Sequence, residues 1–220
     1  MKMKILLISS SPHKEKSKTF SLAKEVLKGF SNEVADIETI HLIDFSILFC
    51  KHCEQCHKNI MQCPLKDDVY VILEKMLEAD GIILASPNYI NQVTASMKAL
   101  LDRSSHFIHC KRLLGKYIAG VVSSGSGRSK EVLDYIEYYG HTCGAQYSGG
   151  VSSAALSIGE KKEEAIKLGG KLTKDIREKI NYSEQLEFIE QGRLHFRGII
   201  EARKKEWAGE YQYWQDKGWL

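Results

Sequence analysis

Four of the six cysteines crowd into one short stretch: Cys50, Cys53, Cys56 and Cys63. The spacing is C-x2-C-x2-C-x6-C. It lets one loop wrap three corners of a cubane cluster while the fourth residue closes it. Pro64 after Cys63 matches the C-P ending of bacterial ferredoxin runs. A zinc site more often uses two separated C-x2-C pairs. His52 and His57 still keep zinc open as a reading, because thiolate and imidazole both suit it. Without metal, the four thiols would be a redox pair or structural. Cys110 and Cys143 stand alone and read as small buried hydrophobes.

A second group of residues could hold an anion. Ser10-Ser11-Pro12-His13-Lys14-Glu15-Lys16-Ser17-Lys18-Thr19 follows an apolar run and precedes a helical pattern. A hydroxyl-rich, basic loop entering a helix N-terminus offers unpaired N–H groups and a positive dipole end, which suit phosphate. Ser17 is also a good N-cap. The loop is neither G-x-G-x-x-G nor Walker A, which argues against a dinucleotide fingerprint or a P-loop nucleotidase. Two further loops have matching character. Pro87-Asn88-Tyr89-Ile90-Asn91-Gln92 carries amides and an aromatic ring, and Ser123-Ser124-Gly125-Ser126-Gly127-Arg128 is small enough for a flat ligand to approach the backbone.

Positioning these loops requires a scaffold. Ile5–Ser9, Ile37–Leu42, Gly81–Ser86, Tyr117–Ser123 and Ala145–Val151 read as strands. Between them lie helical patterns from about Thr19 to Phe30, over Val69–Leu77 with Asp67 and Asp68 at its start, over Val93–Leu101, and over Glu131–Tyr139. Lys161–Ile180 reads as a last helix despite Gly169-Gly170. Such alternation predicts an α/β fold with a parallel sheet and helices on both faces. Five strands favour a flavodoxin-like three-layer sandwich of order 2-1-3-4-5 over the dinucleotide-binding order. In that topology ligands bind beyond the carboxyl ends of the strands, where all three loops fall.

The 220 residues divide into a domain over residues 1–182 and an extension over 183–220, rich in charge and aromatics. The extension reads either as a helix and arm packed on the domain or as an arm wrapping a neighbouring subunit. The formal charge of +3, from 31 basic and 28 acidic residues, argues against nucleic acid. No apolar run approaches a membrane span. The opening run Met1–Ile8 imitates a signal peptide but is short and lacks a cleavage site, so a buried strand and a cytoplasmic protein are expected. In that compartment clustered cysteines point to metal or redox chemistry rather than disulfides.

At these residues the sequence resembles the flavodoxin-like NAD(P)H-dependent FMN reductase family. Ser11-Pro12-His13…Ser17-Lys18-Thr19 resembles that family's phosphate loop, with Ser10 and His13 standing where Gly and Arg are usual. Ser86-Pro87-Asn88-Tyr89 followed by Met97-Lys98 and Asp102-Arg103 resembles its S-P-x-Y…(M/L)-K…D-R signature. The cysteine spacing resembles the family's iron–sulfur flavoprotein branch. The resemblance implies FMN, with its phosphate on Ser11, Ser17, Lys18 and Thr19 and His13 among the cofactor-binding residues. The ring would lie against Pro87, Asn88 and Tyr89, beside Ile90 and Asn91, with Ser124 and Gly125 opposite. It also implies NAD(P)H as donor, a 4Fe–4S cluster on Cys50, Cys53, Cys56 and Cys63, a small-molecule or protein electron acceptor, and a homodimer or homotetramer. A plain FMN or quinone reductase without cluster and a non-enzymatic flavodoxin-like carrier are the alternatives. Hydride transfer to a flavin needs no protein nucleophile, so no catalytic side chain is expected. Arg103 reads as a salt-bridged structural residue, and His106 and His109 as solvated or helix-end residues.

Overall fold

A computed structural model describes residues 2–30 and 35–220; Met1 of the opening run lies outside them. Strand β1 (Met3–Ser9) buries Ile5 and Leu7 on one face and Leu6 and Ile8 on the other. Burial on both faces is what a parallel strand sandwiched between helices requires. It pairs in parallel with β2 (Ala35–His41) and β3 (Gly81–Pro87). β3 pairs with β4 (Tyr117–Ser124), and β4 with β5 (Gln146–Ala154). The order β2-β1-β3-β4-β5 is the expected one. The β4–β5 register slips by one residue after Ile118↔Tyr147, and Gly149 takes up the bulge with φ +129°.

The helices in chain order are α1 (Lys18–Leu27), α2 (Gln55–Lys58), α3 (Val69–Glu78), α4 (Ala95–Asp102), α5 (Ser105–His109), α6 (Lys130–Cys143), α7 (Lys162–Glu178), α8 (Ser183–Ala202) and α9 (Ala208–Asp216). α1 and α7 cover one face of the sheet, while α3, α4 and α6 bury their apolar sides on the other. The glycines that weaken α7 as an isolated helix have a packing use. A Cβ on Gly169 would lie 2.0 Å from the Val26 carbonyl oxygen, and one on Gly29 would lie 2.4 Å from that of Ile166. α1 and α7 therefore meet backbone to backbone.

Several helix boundaries differ from the periodicity. α1 ends at Leu27, before Phe30, and α4 begins after Val93. Thr94 sets the second boundary: its backbone is extended and its Oγ1 accepts the Met97 N–H at 3.3 Å.

The extension folds onto its own chain. Gln185 Oε1 accepts the Tyr147 N–H at 2.7 Å, and Gln185 Nε2 donates to the Tyr147 carbonyl at 3.1 Å, which occupies part of the open edge of β5. Further on, Trp207, Trp214 and Ile200 are buried together with Cys110 in a small separate core. α9 lies so close to the cysteine loop that a Cβ on Gly209 would be 2.6 Å from the Lys58 carbonyl oxygen. None of the described helices is long and apolar enough to cross a membrane.

Candidate functional site

β1, β3 and β4 run parallel, so the loops that follow them emerge at one end of the sheet. They enclose a cleft of about 230 Å³. Ser11, His13, Ser17, Lys18, Thr19, Pro87, Asn88, Tyr89, Ser124 and Gly125 all line it. Lys16, Ser123 and Ala155 line it too, three positions that sequence reasoning did not select. Of these, Lys16 carried a legible signal as a third basic residue beside Ser17. Ile90 and Asn91 are not part of the wall. They form the tip of a tight turn between Tyr89 and Gln92, with φ +53° and +57°. Both central residues at positive φ make a type I′ geometry. Ile90 is fully exposed there.

The anion-binding character is built locally. Ser17 is extended and its Oγ accepts the Phe20 N–H at 3.2 Å, which starts α1. The other first-turn amides, of Lys18 and Thr19, have no intrahelical acceptor available. The loop before them is folded by Ser17 N–H donating to the Lys14 carbonyl at 2.9 Å and His13 N–H donating to Ser11 Oγ at 3.3 Å. Lys14, with φ +45°, turns out of the cleft to pair with Asp44. Lys16 and Lys18 remain on the wall, and among the described residues no Asp or Glu lines it.

The ring side is equally defined. Asn88 N–H donates to the Ser123 carbonyl at 2.8 Å, and its Nδ2 donates to the Arg128 carbonyl. Its Oδ1 is buried without a partner. An orphaned acceptor in a cleft wall calls for a donor from a ligand. A Cβ on Gly125 would meet nothing within 4 Å, so that wall is open. Thr19 Oγ1 and Ser123 Oγ, 2.6 Å apart, tie the two sides together. These features fit a planar heterocycle bearing a phosphate, which is the shape of FMN.

The four cysteines line one common cavity, together with His57, Tyr70, Arg103 and Ser105. Cys50 and Cys53 are exposed, Cys56 and Cys63 half-buried. The loop turns sharply at His52, Glu54 and Met61, all at positive φ. Arg103 holds it. One guanidinium nitrogen donates to the Leu48 carbonyl at 2.8 Å and to Asp67 Oδ2 at 2.5 Å. The other donates to Cys63 Sγ at 3.3 Å and to Asp67 Oδ1 at 3.2 Å. Asp67 also accepts the Leu48 N–H at 2.9 Å, and Asp68 accepts that of Ser46 at 2.7 Å. The two aspartates therefore pin the cysteine loop. Asp68 takes the position before α3 without capping it by its side chain.

The electrostatics follow from burial. Burial alone would raise the Asp67 carboxyl, but Arg103 and the Leu48 and Val69 N–H groups outweigh it and hold the carboxyl below its usual range. Burial pushes the Cys56 thiol up to about 11, against a hydrogen bond with Ser105. Free Cys56 is thus a protonated, weakly nucleophilic thiol, unlike the lowered-pKa cysteines of redox-active pairs. Burial of Cys143 takes its thiol to about 12, as befits a core residue.

Arg103 already supplies an N–H to Cys63, and the His52 N–H donates to Cys50 Sγ at 3.4 Å. Such hydrogen bonds to sulfur tune cluster potentials.

His106 and His109 do lie at a helix end, in the last turn of α5, but His106 is fully buried rather than solvated. Burial lowers its imidazole to about 3, so the ring is neutral, with Nε2 3.3 Å from Met61 Sδ. His109 Nδ1 is 2.9 Å from Glu210 Oε2.

The chain resembles known proteins over most of its length. A family model described as NADPH-dependent FMN reductase matches residues 3–155. An iron–sulfur flavoprotein of Archaeoglobus fulgidus is 40% identical over 124 residues, which cover 56% of this chain and 60% of that one. One of Methanocaldococcus jannaschii is 41% identical over 127 residues, covering 58% and 64%. The match thus spans less than two thirds of either relative. Another A. fulgidus iron–sulfur flavoprotein is 28% identical over 223 residues, covering 99% of this chain and 100% of its own. Among solved structures, a flavone reductase superposes with a TM-score of 0.66 at 19% identity, covering 82% of this chain and 66% of that one. A flavodoxin, WrbA-like protein from Agrobacterium tumefaciens superposes at 0.54 with 17% identity, covering 80% and 98%. These last two likenesses concern the fold.

Proposed function

The chain belongs to the NADPH-dependent FMN reductase family, and from that premise we propose that it is an FMN-dependent oxidoreductase of the iron–sulfur flavoprotein type. The observation that carries the reading is the cleft at the carboxyl end of the sheet. It joins first-turn amides and two lysines on one side to an orphaned Asn88 oxygen and an open Gly125 on the other.

Ser11, Ser17, Lys18 and Thr19 would hold the FMN phosphate by hydroxyl, amide and ammonium donors, with His13 and Lys16 adding donors at the rim. Pro87 and Tyr89 would orient the ring, and Asn88 Oδ1 would accept a ring N–H. Cys50, Cys53, Cys56 and Cys63 would ligate a 4Fe–4S cluster, with Arg103 offsetting thiolate charge at Cys63. When bound, FMN supplies two-electron exchange with a nicotinamide and the cluster supplies one-electron transfer. The chain's own part is to position the two groups. α4 links them: the Pro87–Gln92 loop leads into its start, and Arg103 follows its end. Its eight residues span roughly 12 Å at 1.5 Å each. The electron acceptor would be a small molecule or a protein. The exposed Phe49, Ile90 and Leu156 suit a homodimer or homotetramer, which light scattering on the purified protein would size.

The test is anaerobic purification followed by iron and sulfide analysis, absorption spectroscopy, and stopped-flow mixing with NADPH and NADH. The expected outcome is bound FMN, about four irons per chain, and flavin bleaching by one of the two nicotinamides. Flavin reduction without iron would return the simple reductase. Bound flavin that neither nicotinamide reduces would return the electron carrier.

A further inference from the structure

Beside the cysteine loop, three side chains from distant segments converge. His57 lies on α2, His109 on α5 and Glu210 on α9. His57 Nδ1 is 2.6 Å from Glu210 Oε1, and His109 Nδ1 is 2.9 Å from Glu210 Oε2. Their ligand atoms all lie within 4.8 Å of one another. Glu210 is fully buried, and the two imidazoles are 7% and 15% exposed.

A carboxylate cut off from water needs a compensating charge. Among the described residues no Lys or Arg pairs with Glu210, and Arg203, the basic residue stacked on Trp207, is bound to Glu54. A protonated imidazole would supply it, and so would a divalent cation held by all three groups.

Ring geometry points the same way. The imidazole centroids are 4.9 Å apart with planes 21° from parallel, and each lies 4.7 Å from the Trp207 ring. A three-ring pile would set its outer members about twice as far apart as adjacent ones, so these three rings form a triangle. The two imidazoles are stacked on each other and share the indole as a neighbour, and both Nδ1 atoms turn to the same carboxylate.

We infer that His57, His109 and Glu210 form a second metal site, for zinc, that clamps the C-terminal helix onto the cysteine loop. Two imidazole nitrogens and one carboxylate are a known zinc donor set, with a fourth position left for water. Calcium and magnesium would ask for more oxygen donors. The buried face of Trp207 shields the donors from water, as the outer layer of a metal site does. The inference does not depend on a cluster at the cysteines.

The full chain with Cys50, Cys53, Cys56 and Cys63 all changed to Ser removes the competing thiolates. Titrated with zinc against a chromophoric chelator, it should take up about one equivalent, the number one such site holds. Adding His109→Gln should weaken uptake by more than about 100-fold, beyond the loss typical of an outer-shell partner. Zinc should raise the Tm of the first chain and leave that of the second unchanged. No uptake, or uptake indifferent to His109→Gln, would mean a hydrogen-bonded His–carboxylate–His group only and would overturn the site. The parent protein gives an independent reading if the four-serine chain does not fold. After incubation with zinc and desalting, elemental analysis should find zinc in the parent, with the zinc lost and FMN binding kept in Glu210→Gln. Zinc retained in Glu210→Gln, or absent from the parent, would equally overturn it.

Discussion

The cleft and the cysteine loop lie at the two ends of α4, yet they are assembled in opposite ways. The cleft is made of short segments that each leave a strand and act at once: Ser17 caps the helix that follows it, and Asn88 leans on the end of the adjacent strand. The cysteine loop has almost no regular structure of its own. It is held by Arg103 through Asp67, by Arg203 through Glu54, and by Glu210 through His57, the last two from some 150 residues away. A site made of local motifs depends on the sheet alone. A site made of remote clasps depends on the whole chain, including its last helix.

Arg103→Met tests that contrast most severely. The Arg103 and Asp67 side chains are 2% and 0% exposed, so removing one strands the other's charge. Breaking a buried pair costs about 3–5 kcal/mol. Chemical denaturation should show that loss, and iron content should fall while FMN titration still shows tight binding. Flavin lost in step with iron would break the comparison.

The same pair gives a pH dependence. The folded Asp67 carboxyl titrates below its ordinary 3.8. Its contribution is therefore complete above that value and drains away as pH falls through the lower, folded value. Between roughly pH 5 and 2 the parent should lose stability more steeply than Asp67→Asn, as urea midpoints at each pH would record. Parallel curves would remove Asp67 from the account.

Gly209→Leu probes the clasp from the tail. A side chain there meets the Lys58 carbonyl, and overpacking of this kind costs about 1–3 kcal/mol. Limited proteolysis should cut ahead of α9 sooner than in the parent, with flavin affinity unchanged. Ser17→Ala is the mildest change, and it acts on the other site. Loss of an N-cap costs about 1 kcal/mol, and the expected signature is weaker FMN binding with iron content intact. A fall in iron would show the two sites to be coupled.

Much of the cleft was legible because its signals are contiguous. A basic, hydroxyl-rich loop between an apolar run and a helical period fixes its own position at a strand end, and the family resemblance singles out Ser11, Ser17, Lys18 and Thr19 within it. The resemblance implies Ile90 and Asn91 beside the ring, and the turn carries them out of the wall because both take positive φ. Ser123 was hidden by the opposite problem. It looks like any strand-end serine until Thr19 is placed 2.6 Å away. Asp67 and Asp68 do start α3, with Asp67 accepting the Val69 N–H at 3.4 Å, but their side chains also fasten a loop some twenty residues earlier.

Strand-and-helix alternation, the right hand of parallel crossovers and the cysteine spacing left the sequence few options for fold class, strand order or kind of chemistry. These are local or topological facts, and they survive any detail of packing. The tertiary structure alone decided what holds the cysteines, where the aromatic tail lies, and that His57, His109 and Glu210 meet. Contacts across such separations leave no periodicity in the chain, because they are selected by the space left between packed elements rather than by the residues on either side.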